Sequence, residues 1–229
     1  MNKAIAIITA RGGSKRIPKK NVKDFLGKPI IQYSIEAALQ SNCFDEVMVS
    51  TDDKNIADLA LQLGAKVPFM RSEKNSDDFA TTADVIIEVL AEYKKQEKEF
   101  EYACCIYPTA PFVTGTKLKL AFEKIRSANA TTVLPIVKFG FPIMRSLKME
   151  DDFVKFNWPE FESKRSQDIP SSYHDAGQFY LVRVNDFLQT KKLFSDKCIG
   201  LEMPETEVQD IDTPEDWKMA EIKYNFMLK

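Results

Sequence analysis

The first 138 residues alternate between short runs that are apolar throughout and longer stretches in which apolar side chains recur every three or four positions. Ala4-Ile5-Ala6-Ile7-Ile8-Thr9-Ala10 is the first run, and its branched apolar residues predict a buried strand. Glu46-Val47-Met48-Val49-Ser50, Tyr102-Ala103-Cys104-Cys105-Ile106-Tyr107 and the stretch from Thr131 to Val137 predict three more. Between them lie helical stripes. Pro29 opens one with apolar positions Ile31, Ile35, Ala38 and Leu39. Ile56, Leu59, Ala60 and Leu63 form a second, closed by Gly64 at the place of a C-cap. Val85, Ile86, Val89, Leu90 and Tyr93 make a third, and Leu118, Ala121, Phe122 and Ile125 a fourth. Strand and helix in alternation predict an α/β fold, a mainly parallel sheet with helices on both faces. Ligands of such sheets sit beyond the carboxyl ends of the strands, where the segments after Ala10, Ser50 and Tyr107 all fall.

The rhythm breaks at 139–176. Phe139-Gly140-Phe141-Pro142, the short run Asp152-Phe153-Val154-Lys155-Phe156 and Trp158-Pro159 carry many aromatics but no helical stripe. This segment reads as an inserted arm without a core of its own, and apolar groups lacking a core point to burial against a second subunit, so a homodimer is expected. The α/β core is then 1–138 together with 177–229, the arm serving dimerisation and part of a binding pocket. The chain re-enters the sheet at Gln178-Phe179-Tyr180-Leu181-Val182 and ends in a helix announced by Thr213-Pro214-Glu215-Asp216, a capping box with proline in its first turn.

With 229 residues, 44 % of them hydrophobic, the chain is long enough for one sizeable core. Its 32 basic and 34 acidic residues leave no broad positive face, which argues against nucleic acid as a partner. The N-terminal apolar run stops at Arg11, short of a signal sequence, and no segment approaches the ~20 apolar residues of a membrane span, so no membrane partner and a cytoplasmic protein are expected. Cys43, Cys104, Cys105 and Cys198 form no CxxC pair and have no histidine at metal spacing; they are expected to be reduced and structural.

Chemistry is concentrated at two places. Arg11-Gly12-Gly13-Ser14-Lys15-Arg16-Ile17-Pro18-Lys19-Lys20-Asn21 follows the first strand with five cations within ten positions, in a chain whose net charge is −2. Paired glycines allow close backbone approach, so the loop reads as a cradle for a polyanion, with a solvated basic turn as the plain alternative. It has neither the Walker A spacing nor GxGxxG, so phosphates would be held mainly by side-chain cations, and a nucleoside triphosphate is the natural ligand. Near the other end stands Val208-Gln209-Asp210-Ile211-Asp212. If extended, it puts Asp210 and Asp212 on one face with Ile211 turned inward. Two carboxylates facing a triphosphate suit Mg2+, which keeps most of its waters and shares phosphate oxygens; alternatively Asp212 merely precedes the helix.

These segments together carry a resemblance. Ile7 through Asn21, Val49-Ser50-Thr51-Asp52, Arg71-Ser72 with Ser76-Asp77, Pro108-Thr109-Ala110-Pro111 and Asp210-Ile211-Asp212-Thr213 resemble, in order and over nearly the whole chain, the CMP-sialic acid synthetase family of cytidylyltransferases. Tyr173-His174-Asp175-Ala176-Gly177-Gln178-Phe179-Tyr180 and Asp77-Asp78-Phe79-Ala80-Thr81-Thr82 are most similar to its pseudaminic acid branch. The resemblance implies a Rossmann-like nucleotidyltransferase fold. It implies transfer of CMP from CTP to the anomeric hydroxyl of a nine-carbon 2-keto sugar acid, with release of pyrophosphate, for surface glycan or flagellin glycosylation. Sialic, legionaminic or 3-deoxy-manno-octulosonic acid are the alternative substrates, and a catalytically inactive nucleotide-binding regulator is the alternative of another class.

The family's site maps onto Ala10, Arg11, Gly12, Gly13, Ser14, Lys15, Lys20, Asn21, Arg71 and Asp77 for CTP. Arg11, Lys15 and Lys20 would hold the triphosphate, and Asn21 and Arg71 the nucleoside. Asp210 and Asp212 would bind Mg2+ and, with Arg11 and Lys20, support catalysis. The sugar pocket departs from the sialate members, which carry glutamine before Pro-Thr where this chain has Tyr107, and arginine and asparagine where it has His174 and Ala176. Tyr107, Thr109, Arg145, His174 and Tyr180 are the expected sugar contacts, Arg145 and His174 being the cations available for the acid's carboxylate.

Overall fold

The computed structural model describes residues 3–228. β1 (Ala4–Thr9) is followed by a two-stranded hairpin of β2 (Asp24–Phe25) and β3 (Lys28–Pro29), then α1 (Ile30–Ser41), β4 (Glu46–Ser50), α2 (Lys54–Gln62) and α3 (Thr82–Lys95). β5 (Tyr102–Ile106), α4 (Gly115–Ser127) and β6 (Thr132–Lys138) complete the first part. A hairpin of β7 (Leu147–Glu150) and β8 (Phe153–Phe156) follows, then β9 (Tyr173–Asp175), β10 (Phe179–Arg183), α5 (Val184–Thr190), β11 (Cys198–Met203) and α6 (Pro214–Met227).

The central sheet runs β11-β6-β10-β5-β1-β4, with β9 added to β6. β1 is parallel to β4 and β5, and β11 to β6, while β10 enters antiparallel between β5 and β6. The sheet is therefore mixed but mostly parallel. Because β1, β4 and β5 are covered on both faces, their side chains are buried at nearly every position, which is why they read as continuous apolar runs. Cys104 and Cys105 are part of that burial, and all four cysteines are free thiols.

The arm separates into two pieces. β7 and β8 form a sheet of their own, whereas β9, at the end of the segment, pairs antiparallel with β6 through Ile136–Asp175, Val137–His174 and Lys138–Tyr173. Residues 173–175 thus belong to the sheet, and the excursion is shorter than the aromatic-rich segment suggests.

A third cluster of apolar side chains fixes the site. Ile17 of the cation loop, Phe25, Tyr33, Ile211 and Trp217 are packed together. The Phe25 ring meets Tyr33, Trp217 and Tyr224 edge-on at 5.5, 5.5 and 5.7 Å. Residues from both ends of the chain share this cluster, so burying it draws the first loop and the last helix together.

Candidate active site

The loops after β1 and β5 leave the sheet at its carboxyl edge and, with the segment running from Arg71 into the start of α3, enclose a cavity of about 590 Å3. Ala10 is buried, its amide bonded to Ser50 O at 2.9 Å, so the loop starts from a fixed point. The Gly12 amide donates to Asp52 Oδ1 at 2.8 Å, and a Cβ at Gly12 would come within 3.0 Å of the Asp53 side chain. Gly12 is therefore small because the loop passes against the start of α2, where Asp53 caps the helix. Its N–H faces a carboxylate rather than the cavity, and Gly13 stands in open space. Asn21, 5 % exposed, donates its side-chain amide to Arg11 O at 2.8 Å and braces the loop from within.

With the backbone so held, Arg11, Ser14, Lys15, Arg16 and Lys20 line the cavity. Asp78 meets two of these cations: its Oδ1 lies 2.7 Å from Arg11 Nη1 and its Oδ2 2.5 Å from Lys15 Nζ. Those bonds, Lys15's foremost, hold the Asp78 carboxyl below its usual range. Asp77, expected beside the nucleotide, bonds through Oδ1 to the amides of Phe79 and Ala80 at 2.9 and 2.8 Å and shapes the turn; only its carbonyl reaches Arg11, at 2.9 Å. Asp78 was the less obvious of two adjacent aspartates, and nothing in their order tells which one a turn directs outward.

The acidic pair lies across the same cavity. Residues 208–212 are irregular rather than a strand, yet the alternation holds: Ile211 is 1 % exposed among Ile17 and Trp217, which leaves Asp210 and Asp212 on the cavity side. The segment is pinned throughout. Glu207 pairs with Lys117 at 2.7 Å, Lys223 Nζ donates to Val208 O at 2.8 Å, and the Asp212 amide donates to Asp216 of the capping box at 3.1 Å. Asp212 Oδ1 sits 2.8 Å from Arg16 Nη2 and 3.6 Å from Lys20 Nζ, while Lys20 also donates to Ile211 O at 2.7 Å. Partial burial first, then Asp212 and Asp216, push the Asp210 carboxyl above its ordinary value, against the pull of Lys20. Among the described residues no group of three or more His, Cys, Asp or Glu side chains is placed to hold a metal ion. Two carboxylates whose like charges crowd one another beside a phosphate-sized cavity nonetheless fit Mg2+, which takes one or two protein carboxylates and completes its shell from waters and phosphate.

Arg71 forms part of the floor. It is 8 % exposed, donates from Nε to Ser50 Oγ at 2.9 Å and from Nη2 to Ser50 O at 2.5 Å, and burial lowers its pKa from the ordinary guanidinium value. It is therefore no surface ion pair. Tyr107 and Thr109 line the cavity, with Thr82 Oγ1 3.0 Å from Tyr107 Oη. Tyr180 stands behind Tyr107, ring to ring at 5.7 Å, and its hydroxyl bonds to Asp175. The two expected cations of the sugar pocket lie elsewhere. His174 alternates with Asp175 on β9, so it turns to the opposite face, its ring 4.7 Å from Phe139. Arg145 reaches Ser166 Oγ at 3.4 Å and stacks over Phe141 at 5.7 Å. Neither lines the cavity, whose cations all come from the first loop and Arg71.

Comparison with known proteins bears on this geometry. The sequence pattern of the family described as "Cytidylyltransferase" matches residues 5–210. The chain belongs to that family. This cytidylyltransferase is 40 % identical over 223 residues, 97 % of its own length and 96 % of the relative's, to the pseudaminic acid cytidylyltransferase of Campylobacter jejuni. It is 34 % identical over 227 residues to the CMP-N,N'-diacetyllegionaminic acid synthase of Legionella pneumophila, covering 95 % and 94 % of the two chains. In fold it is similar to a CMP:2-keto-3-deoxy-manno-octonic acid synthetase solved with CTP, at a TM-score of 0.68 and 18 % identity over 99 % of both chains. That likeness speaks for the α/β architecture. No helix among the described residues is long and apolar enough to cross a membrane.

Proposed function

We propose that this cytidylyltransferase couples CTP to pseudaminic acid in the cytoplasm, forming the CMP-sugar at the anomeric hydroxyl and releasing pyrophosphate, with Mg2+ as cofactor and as a homodimer. The observation that carries the reading is the meeting of Arg16 and Lys20 with Asp212 across one cavity, 2.8 and 3.6 Å apart, in a chain of this family.

Arg11 and Lys15, now bridged by the single Asp78 carboxylate, hold the outer phosphates of CTP. Lys20 and Arg16 lie nearer the carboxylates and stabilise the charge that grows on the non-bridging oxygens as the leaving bond stretches. Such stabilisation acts on the transition state more than on the bound substrate, so removing a cation depresses turnover more than affinity. Asp210 and Asp212 would hold Mg2+, which when bound neutralises phosphate charge. Arg71, rigidly bonded to Ser50, gives the nucleoside a fixed cation at the floor, and Asn21 serves by holding the loop in shape. Tyr107 and Thr109 form the wall facing the sugar, and Tyr180, expected there too, backs Tyr107 from the interior.

A pyrophosphate-release assay with CTP, Mg2+ and a panel of sugar acids tests this. Turnover with pseudaminic acid ahead of sialic, legionaminic and 3-deoxy-manno-octulosonic acids is the expected result. Preference for another acid would overturn the substrate, and binding of CTP without turnover on any acid would make the chain a nucleotide-binding regulator.

A further inference from the structure

Lys117 is a buried cation that does not line the cavity. It occupies the first turn of α4, behind the N-cap Thr114, and is 9 % exposed. Burial lowers its pKa against the pull of Glu207, and a cation in a first turn also faces the positive end of its helix. Both effects oppose a lysine here, so local stability does not account for it. Its ammonium is instead bonded on two sides, to Phe112 O at 2.8 Å and to Glu207 Oε2 at 2.7 Å.

Those two partners belong to different walls of the cavity. Phe112 stands three residues after Thr109, on the loop whose Pro108 and Thr109 face the cavity, and Glu207 stands three residues before Asp210, at the head of the segment carrying the acidic pair. The junction is closed from a second direction by Gln178, which is 1 % exposed. It donates from Nε2 to Glu207 O at 2.7 Å and accepts the Tyr107 amide on its own carbonyl at 2.9 Å, so Glu207 is held by its main chain as well as its carboxylate. Phe112 and Ile211 also bury their side chains in one apolar cluster. Apolar packing has no preferred direction, whereas a hydrogen bond admits a narrow range of distance and angle. Replacing a buried ion pair by apolar groups is often neutral or stabilising, so what such a pair supplies here is placement.

We propose that Lys117 is a positioning residue for the transfer: its buried ammonium ties the Thr109 loop to the Asp210–Asp212 segment, and so fixes the sugar wall against the carboxylates that would hold Mg2+. This role deepens the proposed cytidylyl transfer and rests on it for the identity of the ligands. CTP is gripped by the first loop and Arg71, so loss of the tie shifts the acceptor and the carboxylates relative to a nucleotide that stays in place. A misplacement on the order of 1 Å at reacting atoms costs about 100-fold in rate.

The test is the double variant Lys117→Met with Glu207→Met, which removes both charges together and leaves neither ion unpaired. Its unfolding midpoint, and its calorimetric Kd for CTP without divalent cation, are expected to match those of the parent. Its kcat is expected to fall at least about tenfold. The tightening of CTP binding on addition of Mg2+, measured with no sugar acid present, is expected to shrink at least about threefold. Glu207→Asp shortens the tie by one methylene and is expected to show the same pattern more weakly, which keeps the test open should the double variant fail to fold. In a folded variant, native kcat or a native Mg2+ effect would overturn the proposal, as would a loss that tracks the unfolding midpoint and extends to CTP affinity without Mg2+. A parent that turns over no sugar acid, together with a Mg2+ effect lost in the variant, would overturn the proposed activity and leave the tie standing.

Discussion

Asp78 stands before Arg11 with its Oδ1 2.7 Å from Nη1, and its second oxygen reaches Lys15. The two cations that would receive the outer phosphates are thus already paired with an acid from the loop preceding α3. Both partners are solvent-exposed, so the contact adds little to the stability of the fold. It does compete with a polyanion for the same cations. Asp78→Asn is expected to leave the unfolding midpoint unchanged and to lower KM for CTP several-fold at low ionic strength, with the difference fading as salt screens the exposed charges. Steady-state kinetics at two salt concentrations check this, and a raised KM would mean that Asp78 helps to hold the nucleotide.

Asp210 gives a prediction of the opposite kind. Its carboxyl is raised by burial and by Asp212 and Asp216. A carboxyl whose pKa is higher in the folded chain than in the unfolded one favours folding while protonated. As pH rises from the ordinary carboxylate range through the raised value, the unfolded chain loses its proton first, and that contribution to stability disappears. At neutral pH the charged Asp210 therefore opposes the fold. Asp210→Asn is expected to unfold at the same temperature as the parent or higher in the absence of divalent cation, while losing on the order of 100-fold in kcat. Thermal scans between pH 4 and 8 and pyrophosphate release check the two halves, and a destabilised variant would show that Asp210 is held as a structural anion. Asp212→Ala is expected to lose rate to a similar degree with the fold intact, and full activity would remove it from the site.

The fold was legible where burial imposes a period. Ile5 to Ile8 are buried on both faces of a central strand, and Val85, Ile86, Val89 and Leu90 line one side of α3, so their spacing predicts their structure. The acidic ledge was legible for a related reason: burying Ile211 forces its two neighbours outward whether or not the segment joins the sheet. Strand direction was not legible, because Phe179 to Val182 would read the same parallel or antiparallel. Nor was β9, half-exposed at Tyr173 and His174, nor the choice between Asp77 and Asp78 inside an irregular turn. The role of Gly12 depends on Asp52 and Asp53, forty residues away, and no local pattern records such a partner.

Arg71 combines structure and binding in one side chain. Its guanidinium bonds Ser50 through two nitrogens in a buried setting, where a planar fork fits and a single ammonium does not. Arg71→Lys keeps the charge but gives up one of the two bonds. It is expected to cost about 1–3 kcal/mol of folding stability, by denaturant unfolding, and to raise KM for CTP at least about tenfold. A variant with native stability and native KM would deny the floor its role.

The β7–β8 hairpin explains where the aromatic-rich segment puts its apolar groups. Leu147 opposes Phe156 and Met149 opposes Val154, and since cross-strand neighbours share a face, these four side chains lie together. Leu147, Met149 and Val154 are 54 %, 74 % and 59 % exposed in the single chain, whereas the opposite face carries Lys148 and Lys155 paired to Glu150. One face of a two-stranded sheet so exposed has little to hold it in water unless something covers it. A second copy of the chain packing the same face would cover it, and would give the homodimer expected from the sequence. Met149→Lys with Val154→Lys places two like charges on that face. Sedimentation at micromolar concentration is expected to give a dimer for the parent and a monomer for the double variant, with KM for CTP unchanged because the CTP cavity is built from other elements. A double variant that stays dimeric would place the subunit contact elsewhere.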